Sequence, residues 1–170
     1  RRQRQMCIRD RYTEEQINQA LASEEKLAVI PSVDENGHGT FLAGVAAGRV
    51  AETEAFSGAA PNASLCVVKL KPCKQYLRQF YGLMTGVPAY QENDIMAGIS
   101  YCVGKARQAE MPLIILLGVG TSSGGHTGQS YLSQMVNDVS GFSGVCVVTA
   151  AGNEANTRHH FAGILPQGQD

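Results

Sequence analysis

Two kinds of hydrophobic pattern alternate along this chain. Mainly apolar runs at 65–70, 113–117 and 145–150 are short and rich in β-branched or branched residues, and they predict buried strands. Between and before them, apolar residues recur at helical spacing. Thr13 and Gln16 form a capping-box pattern ahead of Ile17, Ala20 and Leu21. Residues 37–47 carry Leu42, Ala43, Val45 and Ala46, with Gly48 as the stop. A long helix after Asn93 or Asp94, either of which suits its cap, would bury Ile95, Ile99, Cys102 and Ala106. Another over 130–139 turns Leu132, Met135, Val136 and Val139 inward. Residues 31–36 read as a loop and 118–128 as a glycine-rich loop, while 71–91 show no clear pattern and read as an insertion or as a helix plus loop.

The order strand, helix, strand, helix, strand predicts an α/β fold, a parallel sheet flanked by helices. Pro112 introduces the run at 113–117, whose unbroken apolarity predicts a strand covered on both faces. Ligands of such sheets gather at the carboxyl ends of the strands. Two glycine-containing segments, 118–128 and 151–153, fall there. We read residues 12–170 as one domain. Residues 1–11 are densely basic and aperiodic, and we read them as a non-native or disordered run; a basic arm for an acidic partner is the alternative.

Composition narrows the function. A net charge of -1 gives no long-range attraction to nucleic acid or anionic membranes. No apolar run has the length of a membrane span, and the N-terminus lacks a signal-peptide pattern. Cys7, Cys66, Cys73, Cys102 and Cys146 are scattered without CxxC spacing, so the sequence predicts neither a zinc site nor a disulfide framework. His126 and the pair His159–His160 have no neighbouring ligand cluster, and no metal is assigned to them.

Candidate chemistry concentrates at two places. His38 stands between Gly37 and Gly39 at a predicted helix start, uncrowded and suited to general-base work. Asn153 follows Gly152 just past a predicted strand, where its amide can donate into a cleft as an oxyanion stabiliser does. Either residue alone also fits an ordinary loop or turn. The run Gly118-Val119-Gly120-Thr121-Ser122-Ser123-Gly124 follows a strand as phosphate loops do. It has serine where GxGxxG needs its last glycine, and no Gly-Lys-Ser/Thr follows.

Taken in order, these segments resemble the subtilisin-like serine proteases. Gly37-His38-Gly39-Thr40 with Ala43-Gly44 is similar to the family's histidine signature. Ala59-Ala60-Pro61-Asn62-Ala63 resembles its "GVAP" segment, residues 112–121 its substrate-edge strand, and Ala150-Ala151-Gly152-Asn153-Glu154 its "AAGNEG" segment. The likeness covers roughly 12–165. Its details, including residues 90–96, Gly124-Gly125-His126 and His159-His160, are most similar to the clostridial branch that includes spore-germination proteases.

The resemblance implies a subtilisin-like fold, incomplete at both ends, and a serine endopeptidase acting on peptides or proteins. His38 would be the general base and Asn153 the oxyanion donor. Gly118, Val119 and Gly120 would pair with the substrate backbone. Ala150, Ala151 and Gly152 would line the pocket for the residue before the scissile bond. Asp34 and Thr40 would be structural. No cofactor is expected; calcium is common in the family, with no ligand cluster assignable here. Relatives are secreted, surface-bound or spore-associated.

The family's triad runs Asp, His, Ser. Before His38 stand only Asp10, in the basic run, and Asp34, four residues away; neither fits the triad aspartate. Residues 154–170 contain no serine. The expectation is therefore an internal fragment, inactive by itself. Leu116 and Gly118 also stand where the family more often has asparagine and serine. That departure, with the insertion at 71–91, leaves open a catalytically inactive pseudoprotease with a binding or signalling role.

Overall fold

The computed structural model describes residues 11–49, 56–121, 124–153, 156–157 and 163–164. Residues 1–10 and the pair His159–His160 lie outside this set, and with them nearly all of the basic run. The chain groups into two compact units, Arg1–Asn62 and Ala63–Asp170.

The first unit holds three helices: α1 (Glu14–Ala22), α2 (Lys26–Val29) and α3 (His38–Ala47). The predicted capping box is present: the Thr13 hydroxyl accepts from the Gln16 N–H, and the Gln16 side chain accepts from the Thr13 N–H at 2.8 Å. Helix α2 had no clear signal, since four residues are too few to show a period. Helix α3 begins and ends where its glycines predict, with Gly37 as N-cap and Gly48 as C-cap. Gly37 sits at φ 79°, a backbone state that side chains with a Cβ resist. After the cap, residues 58–60 return to the end of α3: Gly58, Ala59 and Ala60 donate to the carbonyls of Gly48, Val45 and Ala46. A Cβ at Gly58 would collide with the Ala47 backbone, so only glycine permits this docking.

Helix α3 is apolar almost all round, and none of its residues is buried; Phe41 is 68% exposed. A helix of that composition belongs inside a domain.

The second unit contains α4 (Gln75–Phe80), α5 (Glu92–Gln108), β1 (Leu113–Leu117), α6 (Tyr131–Ser140) and β2 (Val145–Thr149). Strands β1 and β2 pair in parallel with Leu113 opposite Val145 and Leu117 opposite Thr149. Helix α6 is their crossover, so β1, α6 and β2 form one βαβ unit. Ile99 and Val103 of α5, Ile115 of β1 and Val139 of α6 make the core, flanked by Ile95, Leu132, Met135, Val136 and Val147. Ala106, by contrast, lies outside that cluster.

Three expectations need correction. Helix α5 has its N-cap at Gln91, ahead of both Asn93 and Asp94, and Asp94 instead serves the first turn, where acid complements the helix dipole. Residues 65–70 pair with no strand among the described residues. Finally, β1 is covered on one face. Ile115 is buried, whereas Ile114 and Leu116, aligned with Cys146 and Val148, are exposed. Strand periodicity explains this directly, because alternate side chains point to opposite faces and only one meets α5 and α6.

Two local devices aim the strands. Helix α5 ends in a Schellman turn, with Met111 N–H bonded to the Ala106 carbonyl and Glu110 to that of Arg107. Glu110 takes the left-handed position at φ 53°, which explains why no glycine marked this end. At the start of α6, Ser130 caps the Ser133 N–H, and Glu92 reaches from α5 to accept the Leu132 N–H at 3.1 Å.

The insertion is a closed loop rather than a loose one. Cys73 N–H bonds the Ala89 carbonyl, and Pro72 and Tyr90 form an antiparallel bridge. Inside it, the Arg78 guanidinium donates to the carbonyls of Val87 (2.8 Å) and Met84 (2.7 Å). A planar fork suits two carbonyls; a single ammonium does not. Arg78→Ala is expected to open residues 82–90, with amide protection there falling about tenfold, equivalent to roughly 1.4 kcal/mol for a charge-assisted pair. Arg78→Lys should restore little of it. Hydrogen exchange across 82–90 measures both.

Candidate active site

The histidine site starts from a carboxylate. Asp34 Oδ1 accepts from the N–H groups of Asn36 (3.1 Å) and Gly37 (2.9 Å). Its Oδ2 accepts from Thr40 N–H (3.1 Å) and from the Thr40 hydroxyl (2.7 Å). One side chain thus folds the loop at 34–37 and caps the first turn of α3, satisfying donors that a helix start leaves open. His38 is the first residue of that helix, and its own N–H bonds Asn36 Oδ1 at 3.3 Å. Asp34 and Asn36 together fix where the imidazole leaves the backbone, and His38 is solvent-exposed. Sequence reasoning missed Asn36. Its signal was the Asp-x-Asn-Gly order, because short polar side chains fold their own backbone in this way.

The Thr40 hydroxyl, with the backbone donors of Gly37 and Thr40, holds the Asp34 carboxyl well below its usual value of 3.8. A depressed carboxylate stabilises the fold above its unfolded value and loses that contribution as pH falls through the folded one. Protection of the Gly37 and Thr40 amides is therefore expected to hold above pH 3.8 and to decline below it. Asp34→Asn should abolish that acid dependence. Both oxygens of Asp34 are engaged in this cap, which suits a structural carboxylate.

The second group of candidates lies in the other unit. The parallel register places Leu117 and Thr149 opposite each other, so the chain leaves β1 and β2 at the same end of the sheet. Gly118, Val119 and Gly120 follow β1; Ala150, Ala151, Gly152 and Asn153 follow β2. Backbone pairing thus brings seven of the predicted residues to the carboxyl ends of two adjacent strands, where open α/β sheets hold ligands. Ala150 through Asn153 are exposed, and Gly152 adopts φ 93°, a turn that a Cβ would strain. That turn carries the chain from the strand into Asn153. His38 belongs to the first unit.

Among the described residues, no group of three His, Cys, Asp or Glu side chains is placed to hold a metal ion. None of the described helices is long and apolar enough to cross a membrane.

Comparison with known proteins settles the family. The subtilase family profile matches residues 7–167. This chain belongs to the subtilase family. It is also similar to the solved structure of the Clostridium perfringens CspB protease, with a TM-score of 0.73 and 28% identity. The match covers 87% of this chain and 30% of that one, so this subtilase chain spans less than a third of the length of its structural relative. A clostridial relative agrees with the likeness read from residues 90–96 and 124–126. The α/β fold with a parallel sheet and flanking helices stands, and the match is to part of a subtilase domain.

Proposed function

We propose that the intact protein is a serine endopeptidase of the subtilisin type, with His38 as general base and Asn153 as oxyanion donor. The observation that carries this reading is the strand-end geometry. The stretch from Ala150 to Asn153 leaves β2 beside the segment from Gly118 to Gly120 leaving β1, in a chain that belongs to the subtilase family. An extended peptide lying along 118–120 would present its carbonyl beside the 150–153 turn. His38 Nε2 would take the proton of a serine hydroxyl and return it to the leaving amine. The Asn153 amide would donate to the oxyanion as the carbonyl carbon becomes tetrahedral.

Within this reading, the aspartate and the serine come from outside residues 1–170. Asp34 is occupied by its cap, and no serine follows Asn153. Peptides and proteins are the substrates, and no organic cofactor takes part. The test is turnover of an unstructured protein such as casein. The intact protein should cleave it, whereas residues 1–170 alone should not. Cleavage by residues 1–170 would refute the division of the triad. An intact protein that binds peptide without cleaving it would replace this reading with that of a pseudoprotease.

A further inference from the structure

Two cysteines that the protease reading leaves unused meet in the second unit. The Cys66 and Cys102 sulfurs lie 3.7 Å apart. Cys102 sits on α5, and Cys66 lies in the segment 65–70 that passes over that helix. A second contact shows that the approach is not accidental. A Cβ built on Gly98 would meet Val68 Cγ1 at 3.0 Å. Gly98 and Cys102 are four apart and share one face of α5, and Val68 and Cys66, two apart in the segment 65–70, meet that face.

As the helix advances from Gly98 to Cys102 the segment goes back from Val68 to Cys66, so the two run past each other in opposite directions. Glycine at 98 lets the segment lie close, which brings the sulfurs within reach. A disulfide needs about 2.05 Å between sulfurs, and small side-chain rotations supply the difference.

We propose that Cys66 and Cys102 form a redox-sensitive dithiol that closes to a reversible disulfide, tying residues 65–70 to α5, with a low-molecular-weight disulfide as the oxidant. Cys66 is exposed and meets the oxidant first. Its thiolate attacks one sulfur of the small disulfide. That S–S bond breaks, one thiolate leaves and takes up a proton, and a mixed disulfide remains on Cys66. Cys102, having given up its proton, then attacks the Cys66 sulfur. The protein disulfide forms and the second small thiolate leaves, taking up that proton. Two electrons have passed from the cysteines to the oxidant. Burial and the neighbouring Cys66 sulfur push the Cys102 thiol up to about 12, which leaves Cys66 as the first to attack; once Cys66 is held in the mixed disulfide its thiolate no longer opposes ionisation of Cys102. Cys73 and Cys146, the other free cysteines among the described residues, make no such sulfur contact.

The test is incubation of the intact protein with oxidised glutathione, followed by digestion without reductant and mass spectrometry. A cross-linked peptide joining Cys66 to Cys102 is expected, exceeding any other cysteine pair by roughly tenfold. Protein unfolded in urea should lose that preference. Cys102→Ser should stop the reaction at a glutathione adduct on Cys66. Glutathione adducts on both cysteines of the folded wild type, or pairing of Cys66 with Cys73 or Cys146 as readily, would overturn the proposal. Neither readout depends on the protein's own peptidase activity, so the result stands apart from the proposed function.

Discussion

Replacing His38 by alanine in the intact protein is expected to lower kcat by about 10⁶, with little change in KM. The size is that of the same loss in subtilisin itself, carried over to this relative. The reason for so large an effect is chemical. A serine hydroxyl is a weak nucleophile near neutral pH, and without a base it keeps its proton as it attacks. His38 occupies the first position of α3, fixed there by the four hydrogen bonds of Asp34 and by Asn36. Alanine leaves that cap intact, since the cap uses the backbone of residue 38 and not its side chain. Steady-state kinetics on a peptide substrate, with amide protection at Thr40 as the folding control, separates lost chemistry from lost structure. A kcat within tenfold of wild type would remove His38 from the mechanism.

The second large effect concerns Asn153. Its replacement by alanine is expected to reduce kcat by about 10²–10³ while KM stays nearly constant. Again the magnitude comes from the equivalent donor in subtilisin. An amide that strengthens its bond only as negative charge develops on the oxygen stabilises the transition state and not bound substrate. Asn153 is exposed and follows Gly152, whose positive φ sets the turn, so shortening its side chain should leave β2 in place. Equal losses in substrate affinity and turnover would instead indicate a disturbed strand end.

Much of this was legible from the residues. Patterns of period 3.6 and runs of branched residues located α1, α3, α6, β1 and β2 to within a residue or so. Glycines at 37 and 48 marked both ends of α3 because helix ends favour them for backbone reasons. The parallel sheet, with 118–120 and 150–153 at the carboxyl ends of its strands, was also readable from the alternation of strand and helix; the register that sets them side by side was not.

Other features carried no local signal. Glu110 ends α5 in a conformation usually reserved for glycine, and a glutamate does not announce it. Arg78 closes the insertion by bonding carbonyls six and nine residues away, which composition does not record. The one-sided burial of β1 was invisible for a different reason. An apolar run says that a strand favours burial on both faces, but not what covers each. Ile114, Leu116 and Val148 remain exposed on the face away from α5 and α6. Similarly, Cys66 and Cys102 are 36 residues apart, and only the packing of 65–70 on α5 joins them.

The most direct test of the central claim uses a fluorophosphonate probe on the intact protein. Such a reagent labels only a serine whose base and oxyanion donors are in place. Wild-type protein should label on a single serine outside residues 1–170, and His38→Ala should lose the label while retaining its fold. Labelling that survives in His38→Ala, or its absence from folded wild-type protein, would contradict the assignment of His38 as the base of a working subtilisin-type protease.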